Sequence, residues 1–276
     1  MAVTTFIPEL WAARLQEHYT RALVVANLLN RNYEGEIRQY GDTVHINSLE
    51  DITVKDYTPN TDIDAPEQLT TVDQTLVIDH GKYYNFYVND VDAAQARGDL
   101  MDKAMTNAAN LIAQDTEDYV ISKLLADATD GGSGTLTAGN VYEAIVTLKT
   151  KMDTGNVPRA GRKLIVPPSV EGFLLLDDRF VKGAQGENRL SNGLVARAAG
   201  FDIYMSTALT DEMIAMRTED ATFAAQINKS EAYRPEAKFA DAVKGLALCG
   251  AKVTNPAGVY KYTIGDDEVG GDEAET

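Results

Sequence analysis

The chain has 276 residues, 44% of them hydrophobic, and a formal net charge of −17 from 25 Lys and Arg against 42 Asp and Glu. That length accommodates one large domain or two modest ones, while the acidic balance disfavours a bulk surface that grips nucleic acid, because phosphate binding needs clustered Lys and Arg. No run of about 18 apolar residues is present to span a membrane as a helix, the single Cys249 excludes an internal disulfide and points to a reducing cytoplasm, and Met1-Ala2-Val3-Thr4-Thr5 does not read as a signal peptide.

The first predicted element is a helix over residues 8–31. Leu10, Trp11, Leu15, Tyr19 and Leu23 recur at three-to-four spacing behind Pro8 at a first-turn position. Its apolar face is interrupted and it precedes any obvious core, which suits an arm that packs on something else. Residues 42–57 change period: Val44, Ile46, Ile52, Val54 and Tyr57 read as strand. Pro59, Asn60, Asp62, Asp64 and Pro66 bring turn chemistry. Val72, Leu76 and Ile78, then Tyr83, Phe86 and Val88, return to strand. Two extended arms of roughly 16 residues would each reach about 50 Å, more than a compact core needs. A two-stranded ribbon with little apolar surface is marginal alone, so it needs a neighbour to lie on.

Residues 90–127 carry the longest helical pattern, with Asp90 or Asp92 at its start and Met101, Met105, Ala108, Ile112, Tyr119 and Leu124 or Leu125 on one face, broken near Asp115. Gly98 marks a kink or a junction, and from Asp99 the helix would run about 43 Å. The cluster Gly131-Gly132-Ser133-Gly134 is predicted to end it as an internal boundary. Further on, 138–152 reads as helix, 163–166 as a buried strand stopped by Pro167-Pro168, and 169–177 as helix. A short helix is expected at 194–199, ending at Gly200 as a C′ residue. Strands are expected at 201–205, 222–228, 246–248 and 258–263, and the acidic tail from Asp266 to Thr276 reads as disordered. No internal repeat is present.

Charge is unevenly placed. Residues 42–79 hold nine acids against Lys55, and residues 149–163 hold five bases against Asp153. Two solvated faces explain this; so does an acidic segment of one copy meeting the basic segment of another. The second explanation makes Asp51, Asp56, Asp62, Asp64 and Glu67 on the ribbon, with Lys149, Lys151, Arg159, Arg162 and Lys163 opposite, candidate contacts between subunits.

Residues for chemistry are sparse. His18, His45 and His80 lack metal-ligand spacing, although His45 and His80 could face each other across the ribbon. Cys249, within an apolar run, reads as a small buried residue. No phosphate-binding or nucleophile-elbow motif occurs. Gly132-Ser133-Gly134 reads as a linker, and Arg97-Gly98-Asp99 and Asn228-Lys229-Ser230 are chance strings in this context. Asp115/Asp118 and Asp177-Asp178 read as solvated carboxylates. The expectation is a protein that is not an enzyme, with no catalytic, cofactor or metal site.

Local phrases carry a resemblance. Gly41-Asp42-Thr43-Val44 opens the ribbon, and Val88-Asn89-Asp90-Val91-Asp92-Ala93-Ala94 enters the helix. Leu164-Ile165-Val166-Pro167-Pro168 precedes Leu174-Leu175-Leu176-Asp177-Asp178-Arg179-Phe180, and Gly200-Phe201-Asp202-Ile203-Tyr204-Met205-Ser206 follows. Their order over residues 6–264 resembles the major capsid proteins of tailed double-stranded-DNA bacteriophages, which have the α+β Hong Kong 97 (Johnson) fold. The resemblance implies an N-arm at 1–40, an E-loop ribbon at 41–87, a peripheral domain with a spine helix at 88–134, an axial domain mainly at 135–235 and a peripheral return at 236–264, before the tail at 265–276. It implies self-assembly into hexamers and pentamers of an icosahedral head around DNA bound without sequence specificity, assembled in the host bacterial cytoplasm and located in the virion. Implied partners are a portal protein, a decoration protein and, since no charged helical segment precedes the arm, a separate scaffolding protein. An encapsulin-like nanocompartment shell is the alternative. Covalent cross-linking is not assigned, because Lys55 matches no motif for it.

Overall fold

The computed structural model describes residues 23–33, 41–49, 52–57, 59–60, 62, 65–89, 100–177, 194–237 and 239–265. The expected helix at 8–31 lies outside the described residues as far as residue 22, and over 23–31 the chain's only helical turn is the short 3-10 turn Ala26–Leu28. The expected caps of the long helix at Asp90 or Asp92, the string at 97–99, Asp51, Asp64, Asp178 and the acidic tail also lie outside the described residues.

Three sheets form. Strands β1 (Thr43–Leu49) and β2 (Thr71–Val77) make an antiparallel ribbon, pairing Thr43 with Val77 and Leu49 with Thr71. Strands β3 (His80–Asn89), β9 (Ala221–Tyr233) and β10 (Ala240–Val253) make an antiparallel sheet with β10 in the middle. Six strands make the third sheet: β4 (Thr129–Gly134), β5 (Arg162–Val166), β6 (Leu194–Ala198), β7 (Phe201–Met205), β8 (Glu212–Arg217) and β11 (Tyr260–Ile264). Their spatial order is β4-β11-β8-β5-β7-β6. Three α-helices join them among the described residues: α1 (Leu100–Asp127), α2 (Val141–Thr154) and α3 (Pro168–Leu176).

Helix α1 spans 28 residues, about 42 Å. Met105, Ala109, Ile112, Ala113, Val120, Ile121 and Leu124 recur at helical spacing and are buried, in one cluster with Val243, Ala247, Cys249 and Ala251 of β10. The six-stranded sheet is buried on both faces by strand alternation. Leu164 and Val166 of β5 face α2 and α3, packing with Ile145, Leu148, Val170 and Leu174. Ile165 between them, with Ile214 and Met216 of β8, joins the α1 cluster.

Residues 23–33 pack on their own subunit. Leu23, Val25, Ala26, Leu28 and Leu29 are buried. Asn30 pairs with the start of β9 in parallel, its N–H donating to Ala221 O at 3.0 Å and its carbonyl accepting from Phe223 N at 2.9 Å. This end of the expected arm is therefore part of the core.

Two local expectations are corrected. The glycine cluster is no linker but strand β4, parallel to β11. The register slips between Lys261 and Tyr262, leaving Gly131 as the extra residue of a bulge. A Cβ on Gly131 would lie 2.6 Å from Lys261 O and 2.5 Å from Leu148 Cδ2, so only glycine fits. Residues 194–198 are a strand, not a helix, and form a hairpin with β7. Ala199 (φ 49°) and Gly200 (φ 89°) make its two-residue turn; consecutive positive φ values are what a tight hairpin requires.

Strand β9 lies beside β10 in the three-stranded sheet, and β11 returns to the six-stranded sheet.

Candidate assembly surface

The ribbon divides into a buried root and an exposed tip. At the root, Val44, Ile46, Leu76 and Ile78 form a core cluster with Ala224 and Leu248. The strand expected over 42–57 ends at Leu49, and residues 52–57 form no strand. Past the ladder, Ile52, Val54, Tyr57 and Leu69 are exposed, Val54 at 93%. Glu67 holds the two sides of the tip together by accepting from Thr53 N at 3.2 Å and Thr53 Oγ1 at 3.3 Å. Asp56 and Asp62 are exposed. The described residues of the tip thus present apolar side chains beside carboxylates, and all of them are exposed.

The basic stretch is less uniform than its sequence. The Arg162 side chain is 2% exposed; it meets Asp153 at 2.8 Å and donates to Pro158 O and Val157 O. Lys163 donates to Leu28 O at 3.1 Å, and burial holds its ammonium below the usual lysine value. These two cations are spent inside the subunit. Lys149 is partly exposed. Lys151 donates to Asp130 O at 3.3 Å, and Arg159 is exposed beside Asp153 at 3.2 Å. Partial burial works to raise the Asp153 carboxyl, but its bonds from Arg162 and Arg159 outweigh this and hold it below the usual range. The surface positive charge of residues 149–163 therefore rests on Lys149, Lys151 and Arg159.

The two histidines do not face each other. His45 lies opposite Thr75 in the ladder, with Nδ1 2.8 Å from Asp73. His80 Nε2 lies 2.6 Å from Asp115 Oδ2 on α1. Lys82 Nζ lies 2.7 Å from Asp115 Oδ1, so Asp115 is an ion-pair partner rather than a solvated carboxylate. Nearby Asp118 sits above the ordinary Asp value because of partial burial and the Asp115 charge. Asp177, also expected to be solvated, is buried. Burial pushes the Cys249 thiol up to about 12, so it keeps its proton at neutral pH. Among the described residues, no three His, Cys, Asp or Glu side chains gather as metal ligands would.

Two arrangements escaped the sequence reading. One is the set of contacts from Asp79 and His80 to α1; the break in the α1 face at Asp115 was its visible trace. The other is Glu117, whose buried carboxylate accepts from Val24, Val25 and Ala26 N–H at 2.9–3.1 Å. Burial raises its carboxyl above the ordinary Glu value, although the three N–H donors oppose this.

A ribbon rooted on a three-stranded sheet, a long helix across that sheet and a six-stranded sheet make up the Hong Kong 97 fold that solved phage capsid chains share with this one. Residues 72–262 match the family model described as phage capsid protein, and the chain belongs to that family; it is a major capsid protein, a structural component of a virion capsid. A solved chain of Mycobacterium phage Che8 is 27% identical with a TM-score of 0.69, covering 87% of this chain and 90% of that chain. Two others show the fold alone. The capsid of cyanophage P-SCSP1u is 15% identical, TM-score 0.65, covering 83% and 85%. The virus-like particle from Pyrococcus furiosus is 16% identical, TM-score 0.60, covering 92% and 98%. No curated protein matches the sequence.

Proposed function

We propose that this major capsid protein assembles into hexamers and pentamers of an icosahedral phage head that encloses double-stranded DNA without sequence-specific binding. The observation that carries this reading is the ribbon tip. Four large apolar side chains stand exposed on the described residues of the tip, and a two-stranded ribbon that is marginal alone gains stability by lying on another chain. In the assembled shell the tip lies on a neighbouring subunit, with Asp56 and Asp62 meeting Lys149, Lys151 and Arg159 there. Asp51 and Asp64 belong to the same acidic stretch, whereas Glu67, Arg162 and Lys163 serve their own subunit first. The protein does no catalysis, and its work is the sum of repeated weak contacts in a closed lattice. Assembly takes place in the host bacterial cytoplasm with a separate scaffolding protein, a portal and a decoration protein.

Electron microscopy of the purified protein, with and without scaffolding protein across a range of salt, tests the reading. Closed shells are expected; a lasting monomer of 30.0 kDa under every condition would overturn it. The triple change Lys149→Glu, Lys151→Glu and Arg159→Glu should reduce shell yield at least tenfold with thermal stability nearly unchanged. Normal yield would end the charge-pairing idea and leave the capsid reading in place.

A cellular nanocompartment shell is the second reading, supported by the likeness to the Pyrococcus furiosus particle. The family match and the 27% identity to a phage chain favour the phage head. Neighbouring genes separate the two: portal and terminase for a phage, a cargo enzyme for a compartment.

A further inference from the structure

The junction of the ribbon with β3 is fastened to the middle of α1. His80 Nε2 lies 2.6 Å from Asp115 Oδ2, and Lys82 Nζ lies 2.7 Å from Asp115 Oδ1. Asp79 accepts the Tyr119 hydroxyl, and its other oxygen lies 3.1 Å from Lys123 Nζ. The Tyr119 ring stacks on His80 with centroids 4.3 Å apart. Asp115, Tyr119 and Lys123 follow one another at four-residue spacing, one stripe of a helix.

The ribbon root is held from the β10 side as well. Gln74 Nε2 donates to Thr254 O at 3.0 Å, and Lys252 Nζ to Thr75 O at 3.0 Å. The crossing is close: a Cβ on Gly250 would lie 2.4 Å from Val77 O. Beyond the ladder, residues 52–57 and 65–70 are exposed throughout.

We propose that the Asp79–His80 clasp locks the ribbon root and α1 into one rigid unit. Bending is then excluded from the root, and a tilt of α1 is delivered to the exposed residues 52–57 and 65–70 without a hinge there. That consequence for a shell rests on the tip being an inter-subunit contact; the rigid unit itself is a property of one subunit.

Hydrogen exchange on the full-length, unassembled protein tests it. An isolated two-stranded ribbon is marginal and would protect its amides little. The expected result is exchange at 43–49 and 72–79 at least a hundredfold slower than at 52–57 and 65–70. The double variant Asp79→Ala/His80→Ala should speed exchange at 72–79 at least tenfold, with β9 and β10 unchanged. Should that variant not fold, Tyr119→Phe, which removes one hydroxyl and keeps the ring, should still speed it about threefold. A root as fast as the tip in the parent protein, or unchanged root exchange in the variant that folds, would overturn the proposal. Microscopy of the same samples reads the shell separately: a protected root in a protein that never assembles leaves the clasp standing and refutes the capsid assembly.

Discussion

At the residue scale, the carboxylates of α1 divide by what they hold. Glu117 supplies the acceptor for three successive backbone N–H groups where the arm enters the core. Glu117→Leu removes it and leaves those donors buried, at about 1–3 kcal/mol for each unsatisfied group. A total loss of at least about 3 kcal/mol is expected in chemical denaturation, and Glu117→Gln, which keeps one acceptor oxygen, should lose less. Asp115 responds to pH in the opposite sense to Glu117. Partial burial works to raise it, but Lys82 and His80 outweigh that and hold it below its ordinary 3.8. The unfolded chain then binds more protons between the two values, so stability is present above 3.8 and is lost as pH falls through the lowered value. Glu117, held above its ordinary 4.5, contributes more as pH falls toward that value and less as pH rises through its folded one. Asp115→Asn should therefore flatten the acid limb of the stability curve below about pH 4, measured as unfolding midpoint against pH. An acid limb as steep as the parent's would remove Asp115 from it.

At the element scale, periodic patterns were legible and close approaches were not. The buried stripe of α1 and the strands β5, β7 and β11 follow spacings of 3.6 and 2 that depend on side-chain type alone. Helix α3 was equally readable, with Pro168 at its first turn. The glycine cluster failed because its reason lies in two distant residues, Leu148 and Lys261, which leave no room for a side chain on β4. Gly200 failed differently. A glycine with positive φ ends a helix or turns a hairpin equally well, and only the pairing with β7 decides. The same absence of local signal hid the contacts of Asp79 and His80, 35 to 44 residues from their partners in sequence. The bulge makes a direct prediction. Gly131→Ala forces β4 away from β11 and Leu148, and overpacking of this kind costs about 1–3 kcal/mol. The variant should unfold at lower denaturant with an unchanged slope.

At the scale of the whole molecule, the family was legible because it resides in the order of elements, which survives errors about single ones. The acidic ribbon, the long helix and the α/β region stood in the right sequence even though its basic counterpart proved partly internal. The same reasoning predicts what the tip does and does not do. Residues 52–57 and 65–70 are exposed, while the root they extend from is anchored by Val44, Ile46, Leu76 and Ile78. Replacing residues 50–70 with a short Asn-Gly turn that rejoins β1 and β2 should thus leave the subunit folded, its melting point within about 3 °C of the parent. Assembly should respond differently. Burying Ile52, Val54, Tyr57 and Leu69 on a neighbour yields about 1.5–3 kcal/mol for each side chain before the cost of ordering the tip, and the lattice repeats that contact at every subunit. Closed shells should disappear from micrographs of the shortened protein while its monomer remains soluble and cooperative in unfolding. Shells of normal size and yield would show that the tip is dispensable and that the contacts closing the lattice lie on the body of the subunit.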